Sequence, residues 1–231
     1  PDSPVGPRNR AYHPPVPLQM SRMSVTGRMN CTGLSPLTDG RASTNAGVYL
    51  SRNFADTGYS VVEFGGASDD PLAVHVRDDG VEFEPVPDLA GATVPETAGY
   101  LADEHDVSSE QTAVIGPAGE HEVRFASIMT TEERAFGRGG LGAVPGSKNV
   151  KAVTFGGDSA PDVSVDATAA DIHREAATED HIMKEQGTVA VMDLANEMDG
   201  LPSYYFSERS FEGVEGINGA AVADKKYKKG T

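Results

Sequence analysis

The stretch richest in chemistry-bearing residues is Arg134-Ala135-Phe136-Gly137-Arg138-Gly139-Gly140-Leu141-Gly142-Ala143-Val144-Pro145-Gly146-Ser147-Lys148-Asn149-Val150-Lys151. It gathers four cations and five glycines, and no acid occurs between Glu133 and Asp158. Glycine lets backbone N–H groups come close to an anion, and arginine grips phosphate oxygens through paired hydrogen bonds. The pattern suits an anion site, and equally a basic, glycine-rich surface turn that offsets neighbouring acids. A second cation-rich stretch precedes it, in which Arg22, Arg28 and Arg41 are opposed only by Asp39. It contains Ser35-Pro36-Leu37-Thr38-Asp39-Gly40 and Ser43-Thr44-Asn45-Ala46-Gly47. These read as two turns between strands. Read as a site, Asn45 offers its carbonyl to a hard cation and Gly47 admits a bulky ligand.

Two common nucleotide motifs fail here. Gly137, Gly139 and Gly142 fit G-x-G-x-x-G, but Pro145 and Gly146 follow where a helix should continue. Gly146-Ser147-Lys148 has the wrong order for a P-loop. His173 and His181 stand eight apart in an expected helix and lack a full ligand set, so they read as surface histidines. Glu132–Glu133 and Asp78–Asp79 read as solvated acids, and no Ser/His/Asp arrangement has a local signature.

The chain that must position these residues has 231 residues, with 35 acidic against 19 basic side chains and a formal charge of -16. That length is ample for a real core. The acidic balance excludes general binding to nucleic acid or anionic lipid, which need cationic surface. No apolar run approaches the roughly 20 residues that span a bilayer, which excludes a helical membrane protein. One cysteine, Cys31, excludes an intrachain disulfide and cannot by itself hold an iron–sulfur cluster. With no charged-then-apolar leader, the expected compartment is a reducing cytoplasm. Scattered acids and few lysines suit a salt-accumulating cell, where screening relieves self-repulsion.

Residues 1–27 are rich in proline and read as irregular. Short alternating or β-branched runs predict strands over 59–64, 72–77, 81–86, 112–115, 123–129 and 151–155. Thr93-Val94-Pro95-Glu96 combines a capping box with a proline in the first turn and predicts a helix over 94–105. Helical character dominates from 167 to 186 and from 188 to 199, where Gly200 and Pro202 stop it. The expected class is α+β: mixed β-sheets with helices over 1–160, then a short helical segment over 161–231.

Together these segments resemble the tungsten-dependent aldehyde ferredoxin oxidoreductase family. The resemblance rests on Ser35-Pro36-Leu37-Thr38, Asn45-Ala46-Gly47, Ile115-Gly116-Pro117-Ala118-Gly119-Glu120, Gly137 to Val144, and Gly146-Ser147-Lys148-Asn149. It extends over about residues 28–220, with Gly200-Leu201-Pro202 and Phe211-Glu212 similar to the start of the family's second domain. It implies that 1–160 form the base under two pyranopterins that hold one tungsten, with a magnesium ion bridging the pterin phosphates. By that resemblance Arg28 and Arg134 contact the phosphates. Asn45 and Ala135 ligate the magnesium through backbone carbonyls, and Gly47, Gly137 and Arg138 line the cofactor.

The sequence ends before the family's Cys-x-x-Cys-x-x-x-Cys segment, so the resemblance implies a fragment whose 4Fe–4S ligands lie elsewhere. Such a fragment has no catalytic residues of its own and is inactive alone. The implied partners are ferredoxin, the remaining domains or a chain that supplies them, and a second copy in a homodimer. The residues themselves leave one alternative open: a non-catalytic acidic module that binds a phosphorylated small molecule.

Overall fold

The computed structural model describes residues 3–6, 11–12, 27–47, 49–131, 134–163 and 167–224. Arg22, Glu132–Glu133 and the lysines at 225, 226, 228 and 229 lie outside them, as does most of the stretch expected to be irregular. The chain divides into two compact units, Pro1–Ala169 and Ala170–Thr231.

The first unit is built on two sheets. One has the order β3-β2-β1-β4, from Arg41–Gly47, Arg28–Leu34, Ala11–Tyr12 and Glu63–Phe64. The other has the order β6-β5-β10-β7-β8-β9, from Gly80–Pro85, Leu72–Arg77, Val150–Phe155, Thr112–Val114, Ile128–Met129 and Ala135–Phe136. It is mixed, because β5 and β10 run parallel while the other pairs run antiparallel. This is the expected α+β class.

One apolar layer joins the two sheets. Met29, Cys31 and Ala46 from the first sheet share a buried cluster with Val74, Val76, Ile128, Phe136, Val153 and Phe155 from the second. Helix α1 (Leu50–Asp56) closes it with Leu50 and Phe54, whose ring meets Phe155 edge-on at 5.1 Å. Burial pushes the Cys31 thiol up to about 12, so this cysteine is an inert core residue. Helix α2 (Val94–His105) covers the other face of the second sheet, where Leu101 packs with Ala73, Val114 and Ala152. Its capping box forms as the sequence predicts, with Glu96 accepting from the Thr93 N–H at 2.7 Å.

Several local readings change. The expected strand over 59–64 shrinks to β4, and the one over 123–129 shrinks to β8. Residues 43–47 are strand, not turn, since β3 pairs with β2 from Arg41↔Leu34 to Gly47↔Arg28. Only 35–40 is a turn, closed by Ser35 N–H donating to Gly40 O at 2.7 Å. Two short helices, α3 (Pro117–Glu120) and α4 (Ala143–Gly146), replace what would have been a long helix in a dinucleotide fold.

The second unit carries α5 (Ala167–Thr178, whose first three residues precede the division), α6 (Ile182–Gln186), α7 (Met192–Glu197) and α8 (Gly219–Asp224). The expected helix over 167–186 thus breaks before α6, where His181 Nδ1 accepts from the Met183 N–H at 3.1 Å. Asn218 ties α8 to α7 through Asp193 at 2.9 Å. Helix α5 buries none of its residues, and Leu194, Met198, Tyr205 and Phe206 are exposed.

Candidate cofactor-binding face

Strands β2 and β3 form a hairpin with two different faces. Met29, Cys31, Thr44 and Ala46 point into the core, while Arg28, Asn30, Thr32, Ser43 and Asn45 lie on the outer face. That outer face is a hydrogen-bonded polar plate. Asn30 Nδ2 donates to Ser43 Oγ at 2.7 Å and to Asn45 Oδ1 at 3.1 Å. Thr32 Oγ1 donates to Asn30 Oδ1 at 2.6 Å. Cross-strand polar pairs of this kind hold a strand register where few apolar residues are available.

Both β3 and β9 are edge strands of their sheets, and they lie beside each other. Two contacts align them. Arg138 N–H donates to Thr44 Oγ1 at 3.3 Å, and an added Cβ at Gly139 would lie 2.6 Å from Ala42 Cβ. The segments therefore run in opposite directions, which brings Asn45 and Gly47 toward Gly137 and Ala135. Arg28 joins them as the register partner of Gly47. Ser35 fixes the turn below: its Oγ donates to Gly139 O at 2.6 Å and accepts from the N–H groups of Leu37 and Thr38. Arg124 reaches the same turn, with Nε donating to Pro36 O at 2.7 Å.

All seven sequence-nominated residues thus belong to one neighbourhood. Arg28, Asn45, Arg134, Gly137 and Arg138 are exposed, and Gly47 and Ala135 are half-buried. The guanidinium groups of Arg28, Arg134 and Arg138 have no ion-pair partner among the described residues. In a chain with so many acids, three arginines on one face with no ion-pair partner among the described residues form a cationic patch.

The island of cations does not stay together, however. Lys148 and Lys151 are both 2% exposed. Lys148 Nζ donates to Gly66 O at 3.1 Å, and burial lowers the ammonium's pKa. Lys151 pairs with Glu120 and donates to Ala92 O. These two lysines brace the fold; only Arg134 and Arg138 face outward.

The glycines divide in the same way. A Cβ at Gly140 would meet Arg124 O at 1.8 Å, at Gly142 Ser127 O at 2.5 Å, and at Gly146 Gly119 O at 1.8 Å. Those glycines permit backbone to cross backbone, Gly140 and Gly142 against residues 124–127, and Gly146 against Gly119 where α3 and α4 pack together, which links the 115–120 and 137–146 motifs. Gly137 differs, because an added Cβ there would find nothing nearer than Ser127 Oγ at 4.0 Å. It leaves a cradle on the exposed face.

Among the residues that position this face, Asn30, Thr32 and Arg124 were not singled out by sequence, and Ser35, Ser43 and Thr44 entered only as members of motifs. Period-two alternation of small and polar residues over 28–34 and 41–47 was the available signal.

The structure thus defines a two-sheet α+β base with a cationic outer face at the meeting of two sheet edges. Residues 2–157 match the family profile described as "Aldehyde ferredoxin oxidoreductase, N-terminal domain", and the chain belongs to that family. It is 32% identical over 229 residues to the tungsten-containing aldehyde ferredoxin oxidoreductase of Pyrococcus abyssi, covering 96% of this chain and 38% of that protein. The Pyrococcus furiosus enzyme of the same description is 35% identical over 154 residues, covering 67% of this chain and 26% of that protein. The chain thus spans less than two-fifths of the first relative's length. The fold is also similar to the active-site complex BamBC of benzoyl coenzyme A reductase, with a TM-score of 0.74, 23% identity, and coverage of 97% of this chain and 37% of that one. No helix among the described residues is long and apolar enough to cross a membrane.

Proposed function

We propose that this chain forms the tungstopterin-holding base of an aldehyde ferredoxin oxidoreductase. The observation that carries the reading is the cationic face where β3 and β9 meet, with three exposed arginines, an open glycine and two strand edges.

The donor set suits a phosphorylated cofactor bridged by a hard cation. Guanidinium groups at Arg28 and Arg134 hold phosphate oxygens in paired hydrogen bonds, and Arg138 and Gly47 line the approach. Gly137 leaves room for the pterin plane against the backbone. Asn45 and Ala135 stand on the two edge strands, which leave backbone carbonyls unclaimed by a neighbouring strand, and carbonyl oxygen is the ligand that magnesium takes. The Asn45 side chain is already engaged by Asn30, so its main chain is the part left for that role. When bound, the tungsten centre supplies the oxidation of an aldehyde, with water, to a carboxylic acid. This chain's part is to bind and orient the cofactor. A 4Fe–4S cluster in the full protein would serve the transfer of electrons to ferredoxin; the sole cysteine here is buried in β2, so this chain would not supply that cluster's ligands.

Arg134→Ala is expected to lower retained pterin about tenfold, the worth of one charge-assisted hydrogen bond. The readout is pterin fluorescence after oxidation of the isolated holoprotein. Arg174→Ala is the control, since Arg174 is exposed on α5 and paired with Asp171. Equal pterin in the two variants contradicts the assignment.

A further inference from the structure

On the other side of the second sheet, three elements bring metal-ligating side chains to one point. His75 comes from β5, Glu84 from the edge strand β6, and His105 from the last turn of α2. Their ligand atoms all lie within 4.8 Å of one another. His75 Nε2 stands 3.0 Å and His105 Nε2 2.9 Å from the same carboxylate oxygen, Glu84 Oε2. The two imidazole rings lie 4.5 Å apart.

We propose that His75, Glu84 and His105 form a binding site for a divalent transition-metal cation, with zinc as the best-fitting ion. Two imidazoles and one carboxylate are a common three-residue zinc set, which leaves a fourth position for water. Ligand atoms around a tetrahedral zinc stand roughly 3.3 Å apart, so the two spacings to Glu84 Oε2 require only small adjustment, and the imidazole nitrogens already stand within 4.8 Å of one another. Nitrogen donors disfavour magnesium and calcium, which take oxygen.

The surroundings orient each ligand. His75 Nδ1 is 2.9 Å from Thr154 Oγ1, so an Nδ1–H donating there leaves the Nε2 lone pair facing the site. Tyr100 OH donates to Glu84 Oε1 at 2.7 Å, which reserves Oε2 for the ion. His105 sits at a helix C-terminus, where the backbone dipole favours positive charge. One cation stands nearby: Arg77 reaches Thr154 Oγ1 at 2.9 Å, one residue removed from the ligands. His75 is buried, while the Glu84 and His105 side chains are 24% and 30% exposed, so an ion can enter from solvent. The ion would pin the end of α2 to the β5–β6 hairpin.

The test is isothermal titration of zinc chloride into the tag-free, chelator-stripped chain, with thermal melts in parallel. The expected result is one strongly bound zinc per chain and a raised melting midpoint, with no response to magnesium chloride. His105→Gln should lose both effects and keep the metal-free melt, because its side chain is partly exposed. His121→Gln, at an exposed histidine outside the group, should keep both. Absence of zinc binding, or undiminished binding by His105→Gln, overturns the proposal.

Discussion

Gly140→Ala is expected to destabilise the chain by about 3–5 kcal/mol, the largest effect of any single methyl group in the glycine-rich stretch. Gly140 has a φ of 66°, in the left-handed region, and an added Cβ would sit 1.8 Å from the Arg124 carbonyl oxygen. Two costs add there: an unfavourable backbone for an L-residue, and a contact with main chain that cannot swing aside. The same carbonyl belongs to the segment from which Arg124 clamps the 35–40 turn, so relief by movement would disturb the base of the cofactor face. Gly137→Ala is the internal comparison. With no close neighbour, it should change stability by no more than about 0.5 kcal/mol while still narrowing the cradle. Urea unfolding midpoints of the two variants measure the difference; equal midpoints contradict the division of these glycines into packing and open positions.

Lys151→Met is expected to cost about 3 kcal/mol. Lys151 is buried on β10 among apolar neighbours, and its ammonium satisfies both Glu120 and the Ala92 carbonyl. Methionine keeps the length of the stem but leaves the carboxylate and the carbonyl without their donor. Glu120 also accepts from the Gly91 N–H at 2.7 Å, so the pair links α3, β10 and the loop before α2. Adding Glu120→Gln removes the stranded charge and keeps an acceptor for Gly91, so the double variant should recover part of the loss. Chemical denaturation of the two variants reads this coupling. A single variant as stable as wild type would show that the ammonium is not a structural tie.

The contrast between Lys151 and Arg134 shows what the sequence can and cannot reveal. Both stand in one acid-free run, and proximity along the chain makes them look like one anion-binding island. The partner of Lys151 is Glu120, thirty-one positions earlier, and only the β7–β10 pairing brings α3 close enough. Arg134 gains no such partner among the described residues. Strands β5, β6, β7 and β10 and helix α2 were legible because their apolar alternation or capping residues act locally. The β2–β3 hairpin was not read as a hairpin, because its core face uses Cys31, Thr44 and Ala46 and its outer face is amide and hydroxyl. Neither face looks like a β-branched strand. The residues at the candidate cofactor face were nominated through the family resemblance; their convergence depends on two sheet edges meeting, which no local pattern encodes. The His75–Glu84–His105 group is likewise scattered along the chain, its two histidines thirty positions apart.

The glycine motif also changes meaning once the backbone is seen. Most of its glycines serve close packing, Gly140 and Gly142 against residues 124–127 and Gly146 against α3, and Asn149 accepts a φ of 55° while its side chain donates to Ser68 O at 2.7 Å. The motif is therefore mainly an architectural signature, and the chemistry rests on the few residues it leaves facing outward.

On the function proposed above, those outward residues hold a phosphorylated pterin with its metal. The most direct test is elemental and pterin analysis of the protein carrying this chain, purified from its native host, beside an Arg134→Ala/Arg138→Ala variant prepared in the same way. The account predicts tungsten and pterin together in the unmodified protein, with two pterins for each tungsten, and both depleted in the variant. Purified protein free of tungsten and pterin, or a variant that retains both in full, would contradict it.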